Sequence, residues 1–99
     1  MNQNKRIVVV GRRQDHLDRI TRLLEGAGYI VTSTTNDGVA IDMVSNSTYA
    51  ALLIGGEVSQ ADRLHIITEA RNHNVSMAVL TINSPQSVLT QLSQTVLPG

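Results

Sequence analysis

Two glycine-containing segments and one threonine are placed so that they could bind an anion. Gly11-Arg12-Arg13 follows one short apolar run, Gly55-Gly56 follows another, and Thr81 stands near the end of a third. Glycine lets the backbone approach a ligand closely, and the guanidinium fork of arginine binds phosphate or carboxylate through paired hydrogen bonds. We therefore predict an anion site made of Gly11, Arg12, Arg13, Gly55, Gly56 and Thr81. The alternative is two solvated arginines beside glycines that only turn the chain.

The segments around these residues alternate between strand and helix patterns. Four apolar or β-branched runs predict strands over residues 7–10, 29–34, 50–54 and 75–82. Apolar residues at helical spacing predict a helix after each strand, capped in turn by Asp15, by Asn36 or Asp37, by Ser59 and by Ser84. For the third helix we predict an inward stripe of Leu64, Ile67 and Ala70. Thr95-Val96-Leu97 is interpreted as the stub of a fifth strand or as a frayed tail.

This alternation, with short links, predicts one α/β domain over residues 1–99. Strands joined by helical crossovers pair in parallel, and right-handed crossovers then give a three-layer sandwich. The expected strand order is 2-1-3-4, the flavodoxin-like order, shortened at the C-terminus. Ligands of such sheets bind outside the carboxyl ends of the strands, where Gly11, Gly55 and Thr81 should meet.

From about Lys5 to Ile82 the chain resembles the receiver domains of bacterial response regulators. The segments that carry the resemblance are Lys5–Val10, Leu23–Tyr29, Asn36–Ala40, Tyr49–Ile54 and Val79–Thr81. The resemblance implies the CheY-like fold and a role in signal transduction. Receivers hold Mg²⁺ on acidic residues and transfer a phosphoryl group to an aspartate that ends strand three.

The catalytic groups of receivers are mostly missing at the matching positions. The acidic pair falls on Gly11 and Arg12, the phosphoacceptor falls on Gly55, and the lysine falls near Leu97. Thr81 matches the expected hydroxyl. The resemblance therefore implies a degenerate pseudo-receiver that cannot be phosphorylated.

Two other carboxylates stand close to these positions. Asp15 and Glu57 could replace the missing Mg²⁺ ligands, but both lie past the ends of their strands. We interpret Asp15 as a helix cap and Glu57 as a solvated loop acid.

Composition excludes several other classes of function. The chain has no cysteine, only two aromatic residues, and eight basic side chains balanced by eight acidic ones. We therefore expect no nucleic-acid partner, no membrane partner and a cytoplasmic location. The histidines at 16, 65 and 73 lack metal-ligand spacing, and no nucleophile with an orienting base can be named. We expect no metal, no cofactor and no enzymatic activity.

The short C-terminal part predicts self-association. The fourth strand is apolar on both faces, and an uncovered edge strand invites another chain. We predict a homodimer through Met77, Val79, Thr81, Val88, Leu89 and Leu92, unless the tail folds back over the gap. The predicted function is a phosphorylation-incompetent interaction module that binds itself or a regulatory protein. The alternative is a sensor of nucleotides or phosphorylated metabolites at the anion site.

Overall fold

The structure, a computed structural model, describes residues 5–47, 49–73, 77–82 and 84–93. Strands and helices alternate along this part of the chain. In chain order they are β1 (Arg6–Val10), α1 (Gln14–Gly26), β2 (Ile30–Thr34), α2 (Asp37–Asn46), β3 (Ala51–Gly55), α3 (Gln60–His73), β4 (Ala78–Ile82), a 3-10 turn (Pro85–Ser87) and α4 (Val88–Ser93). The fifth strand predicted at 95–97 lies outside the described residues. None of the helices in the described ranges is long and apolar enough to cross a membrane.

The four strands form one parallel sheet in the order β2-β1-β3-β4. This confirms the predicted flavodoxin-like α/β architecture. Successive side chains of a strand point to opposite faces, so β1 contributes to two cores. Ile7 and Val9 pack with α1 and α4 on one face, while Val8 and Val10 pack with α2 and α3 on the other. The layers are therefore helices, sheet and helices.

The starts of the first three helices are fixed in different ways. The side chain of Asn36 accepts the Val39 N–H at 3.0 Å, and that of Ser59 accepts the Asp62 N–H at 3.2 Å, so both predicted caps are confirmed. The prediction that Asp15 caps α1 is wrong. The N-cap residue is Arg13, which makes no side-chain cap hydrogen bond, and Asp15 lies inside the first turn.

The inward face of α3 is rotated from the predicted one. Leu64 is 63% exposed, whereas Ile66 and Ala70 are fully buried. Ile67 is half-buried and lies at the border of both possible stripes. A helix advances about 100° per residue, so apolar residues at 64, 66, 67 and 70 permit two registers. Packing of the 66/70 stripe against α2 and the sheet selects the second.

The C-terminal helix folds back onto α1 instead of standing open. Val88 and Leu92 are fully buried against Leu17, Ile20 and Leu24. The prediction that Val88 and Leu92 form an intermolecular contact is therefore corrected, because they complete the core of the chain itself. Another predicted interface residue, Met77, is only 6% exposed and lies in the other core. Val79, Thr81 and Leu89 remain half-buried.

Candidate functional site

The carboxyl ends of β1, β3 and β4 form one edge of the sheet. The register pairs Val10 with Ile54 and Ile54 with Thr81, so the residues that follow these positions lie side by side. Gly11 extends the alignment by donating its N–H to the Thr34 carbonyl of β2 at 3.2 Å. The structure therefore brings Gly11, Gly55 and Thr81 to a common edge.

A glutamate from the β3–α3 loop occupies this edge. Oε2 of Glu57 accepts the backbone N–H of Arg12 at 3.0 Å and that of Arg13 at 3.3 Å. Its Oε1 is 3.5 Å from Nδ1 of His16. The first N–H groups of a helix lack intrahelical acceptors and carry a partial positive charge. Arg12 and Arg13 lie directly before these groups, so Glu57 places its negative charge at the positive end of α1 and fixes the backbone at the helix start.

Two glycines make room for this carboxylate. A Cβ added at Gly11 would lie 2.8 Å from Oε2 of Glu57, and one added at Gly55 would lie 2.8 Å from Oε2 and 3.0 Å from Oε1. A side chain at either position would push the carboxylate away from the backbone N–H groups of Arg12 and Arg13. The glycines after β1 and at the end of β3 are therefore linked to one acidic side chain.

Glu57 remains ionised more readily than an ordinary glutamate. Burial alone would raise its pKa, since its side chain is only 23% exposed. Hydrogen bonds from the backbone N–H groups of Arg12, of Glu57 itself and of Arg13, with a further one from His16, outweigh burial and lower the pKa. The interpretation of Glu57 as a solvated loop acid is wrong, because the carboxylate is half-buried and hydrogen-bonded.

The guanidinium of Arg12 joins the loop after β1 to the starts of α2 and α3. Nη1 and Nη2 donate to the two carboxylate oxygens of Asp37, each at 2.8 Å. Nη2 also donates to Asp62 at 3.0 Å, and Nη1 donates to the Thr35 carbonyl at 3.3 Å. Pairing with Asp37 is the main reason that the pKa of Arg12 rises further above its usual value, and pairing with Arg12 lowers the pKa of Asp62. Arg12 therefore ties the starts of α2 and α3 to the start of α1.

Arg13 is also paired with a carboxylate. Its Nε and Nη2 donate to Asp15 at 3.1 and 2.8 Å, and this pairing lowers the pKa of Asp15. Both side chains are more than half exposed. Both guanidiniums of the predicted anion site thus have carboxylate partners within the chain. Binding of an external anion there stays a prediction.

A cleft of about 360 Å³ opens at the same edge, between α1 and the ends of β3 and β4. The described residues that line it are His16, Ile20, Gly55, Gly56, Glu57, Ile82 and Ser84. Of the predicted anion site, Gly55 and Gly56 are part of this lining, but Gly11, Arg12, Arg13 and Thr81 are not. The charged group in the cleft is therefore the Glu57 carboxylate instead of the predicted guanidiniums.

The edge does not suit the magnesium ion that the receiver resemblance implies. Gly11 and Arg12 offer no oxygen ligand from their side chains, and Glu57 is held by backbone amides. Across the described ranges, no three His, Cys, Asp or Glu side chains are grouped so that they could hold a metal ion. Mg²⁺ requires several oxygen ligands in near-octahedral geometry. The residues present do not fit it.

Sequence reasoning set Glu57 aside as a solvated loop acid, and it missed Asp37 and Asp62 as members of this edge. Their distances along the chain from Arg12 hide the contacts, although one signal is present. Helix α1 begins after two arginines with no Ser, Thr, Asp or Asn at the N-cap, so a negative charge from elsewhere is favourable at its start.

Comparison with solved structures identifies a fold neighbour. A protein from Burkholderia pseudomallei described as pilus assembly-related has a CheY-like receiver fold. It superposes with a TM-score of 0.62 at 22% sequence identity, covering 95% of this chain and 75% of that one. At this identity the likeness shows the shared flavodoxin-like α/β fold. No family model matches the chain, and no curated protein matches its sequence.

Proposed function

We propose that this chain is a receiver-like interaction module that works without phosphorylation. The observation that carries the proposal is the Glu57 carboxylate beside Gly55, hydrogen-bonded to the amides of Arg12 and Arg13. In the receiver resemblance Gly55 stands where the phosphoacceptor belongs. A glycine cannot accept a phosphoryl group, and a neighbouring carboxylate already occupies the adjoining space.

The ion pairs around Arg12 support a module with a single conformation. A phosphorylated receiver is a switch because its added charge rearranges the loops at this edge. Here Arg12 joins Asp37 and Asp62, so the starts of α2 and α3 are already held by charges of the chain. A domain of this kind serves as a constant binding surface instead of a switch. We propose accordingly that it is not an enzyme.

Treatment with a phosphoryl mimic and with a phosphoryl donor tests this proposal. With Mg²⁺ and beryllofluoride, we expect the amide NMR signals of Gly55, Gly56 and Glu57 to stay in place. Acetyl phosphate should add no phosphoryl mass to the intact protein. A phosphorylatable receiver in the same buffer is the positive control. A saturable shift centred on the end of β3, or a phosphorylated aspartate, would contradict the proposal.

We propose a second copy of the chain as the partner, docked along β4. Within the described residues, the sheet has two edge strands, β2 and β4. Thr32, Ser33 and Thr34 make β2 polar, whereas four of the five residues in β4, Ala78–Ile82, are apolar. An apolar edge strand favours pairing with another strand.

Matched substitutions on the two edges test self-association. We expect a dimer by sedimentation equilibrium at tens of micromolar. Val79→Lys on β4 should shift it to monomer, while Ile30→Lys on β2 should leave it a dimer. Ile30 is a suitable control because it is 59% exposed. A monomeric parent protein would remove the homodimer from the proposal and leave a different protein as the partner.

A sensor of nucleotides or phosphorylated metabolites is the weaker candidate. An incoming anion would have to displace Glu57 from the backbone N–H groups of Arg12 and Arg13, or a carboxylate from the guanidinium of Arg12. A thermal-shift screen would favour this function if it found a stabilising phosphate compound whose effect disappears in Arg12→Ala.

A further inference from the structure

The cleft beside Glu57 combines apolar walls with one carboxylate. Ile20 of α1 and Ile82 of β4 line it and are each 2% exposed. Gly55 and Gly56 add backbone without side chains. A cleft of about 360 Å³ with this lining suits a slender apolar group that ends in a polar head.

The charges around the cleft favour a cationic head. Four carboxylates and two guanidiniums meet at this edge of the sheet: Asp15, Asp37, Glu57, Asp62, Arg12 and Arg13. Neither guanidinium is among the residues that line the cleft, and each already has a carboxylate partner. Of the described side chains that line the cleft, Glu57 carries the negative charge, which attracts a cation, and His16 beside it is charged only when protonated.

The hydrogen bonds of Glu57 select the kind of cation. Its Oε2 already accepts two backbone N–H groups, from Arg12 and Arg13. Its Oε1 makes one long contact, 3.5 Å, with Nδ1 of His16, and because a carboxylate oxygen can accept two hydrogen bonds, Oε1 retains capacity for a second donor. A guanidinium binds best across both oxygens, whereas an ammonium is a point charge that can bind one.

We propose that this cleft binds a primary alkylammonium group, with its methylene stem against the cleft wall that includes Ile20 and Ile82 and its ammonium on Oε1 of Glu57. The lysine side chain of a partner protein and a free alkylamine share this chemistry. The proposal goes beyond the interaction module, because it requires neither a dimer nor the absence of phosphorylation. Its failure would leave the beryllofluoride and sedimentation results unaffected.

Titration with n-butylammonium chloride, followed by amide NMR, tests the site. We expect saturable millimolar binding with shifts at His16, Gly55, Gly56 and Glu57. The neutral isostere n-butanol should bind at least about tenfold more weakly, since a hydrogen bond to a charged group contributes more than a neutral one. Because this comparison uses the unmodified chain, it stands even where a variant folds poorly. Equal binding of both compounds, or shifts elsewhere only, would overturn the proposal.

Two variants test the assigned carboxylate. Glu57→Gln, shown to be folded by its NMR spectrum, should weaken butylammonium binding at least about tenfold. Asp42→Asn is the matched control, because it removes an exposed carboxylate on α2 that does not line the cleft, and it should bind like the parent. Loss of binding in the control, or full binding by Glu57→Gln, would contradict the assignment.

Two further ligands distinguish the sources of the ammonium. Nα-acetyl-lysine N-methylamide, whose side chain is unmodified, presents the ammonium as a partner protein would. The compound 1,5-diaminopentane presents the ammonium as a small molecule. Tighter binding of the lysine compound supports a partner's lysine, and tighter binding of the diamine supports a free amine. Binding of neither would overturn the proposal.

Discussion

The carboxylate of Glu57 lies so close to Gly55 that a side chain there would collide with it. A Cβ at Gly55 would be 2.8 Å from Oε2 and 3.0 Å from Oε1 of Glu57. The two residues are therefore complementary: the missing side chain at the end of β3 creates the space that the following acid fills. The Glu57 carboxylate is thereby held against the backbone N–H groups of Arg12 and Arg13, directly before α1.

The first prediction concerns the coupling between Gly55 and Glu57. Gly55→Ala should lower the free energy of unfolding by about 1 to 2 kcal/mol, near the lower end of the usual contribution of a hydrogen bond to a charged group, because the methyl group displaces the carboxylate from the backbone N–H groups of Arg12 and Arg13. Glu57→Ala should cost a similar amount. Since both changes remove the same hydrogen bonds, the double variant should be little worse than either single one. Urea unfolding of the four proteins measures this coupling.

Gly26→Ala is the control for Gly55→Ala. A Cβ added at Gly26 meets nothing within 4 Å, and Gly26 is the last residue of α1. This change should leave stability unchanged or slightly higher. Additive losses for Gly55→Ala and Glu57→Ala would show that the carboxylate does not occupy the space beside Gly55.

The second prediction concerns acid stability. The pKa of Glu57 is lowered in the folded protein, so the unfolded chain binds more protons as the pH falls. The stabilisation from Glu57 is then complete above its ordinary pKa, about 4.3, and is lost as the pH falls through the lower folded value. Below about pH 4.3 the parent should lose stability more steeply than Glu57→Gln in thermal unfolding at stepped pH values. Parallel curves for the two proteins would contradict the lowered pKa.

The sheet was predictable because its signals are local and unambiguous. The runs 7–10 and 50–54 are continuously apolar, which suits central strands of a parallel sheet, and the polar run 29–34 suits the edge. These patterns gave the order 2-1-3-4 without any knowledge of contacts. They also placed Gly11, Gly55 and Thr81 at one edge, since all parallel strands end on the same side.

The polar contacts of the edge were not predictable, because they join residues far apart in sequence. Glu57 is 45 positions from Arg12, and Asp62 is 50 positions away. Residue types alone allowed Arg12 to bind an external anion or a carboxylate of the chain, and only the placement of the α2 and α3 starts decides between them. The prediction of the inward face of α3 was wrong for a related reason. Leu64 and Ile66 belong to two possible apolar stripes, and packing against α2 selects the stripe that contains Ile66.

The third prediction concerns the paired hydrogen bonds that the guanidinium of Arg12 donates. Arg12→Lys keeps the charge but cannot donate to both oxygens of Asp37 and also reach Asp62. The side chain of Arg12 is 33% exposed and that of Asp37 is 24% exposed, so water weakens their pairing. We therefore expect the free energy of unfolding to fall by about 1 kcal/mol or less, and by a smaller amount at high salt. Urea unfolding at low and high salt measures it. Arg13→Ala, at the more exposed pair with Asp15, should leave the midpoint nearly unchanged. A larger loss from Arg13→Ala than from Arg12→Lys would contradict this assignment.

The fourth prediction separates the core role of α4 from a role in docking. Leu92 is fully buried against α1, whereas Leu89 is half-buried on the same helix. Leu92→Ala should lower the free energy of unfolding by about 2 to 5 kcal/mol, because the cavity lies within the chain. Leu89→Ala should cost less, since part of its side chain is already in water. Urea unfolding measured across a range of protein concentrations tests this. A loss from Leu92→Ala that grows with protein concentration would place Leu92 in an interface between copies, whereas a constant loss supports its place in the core.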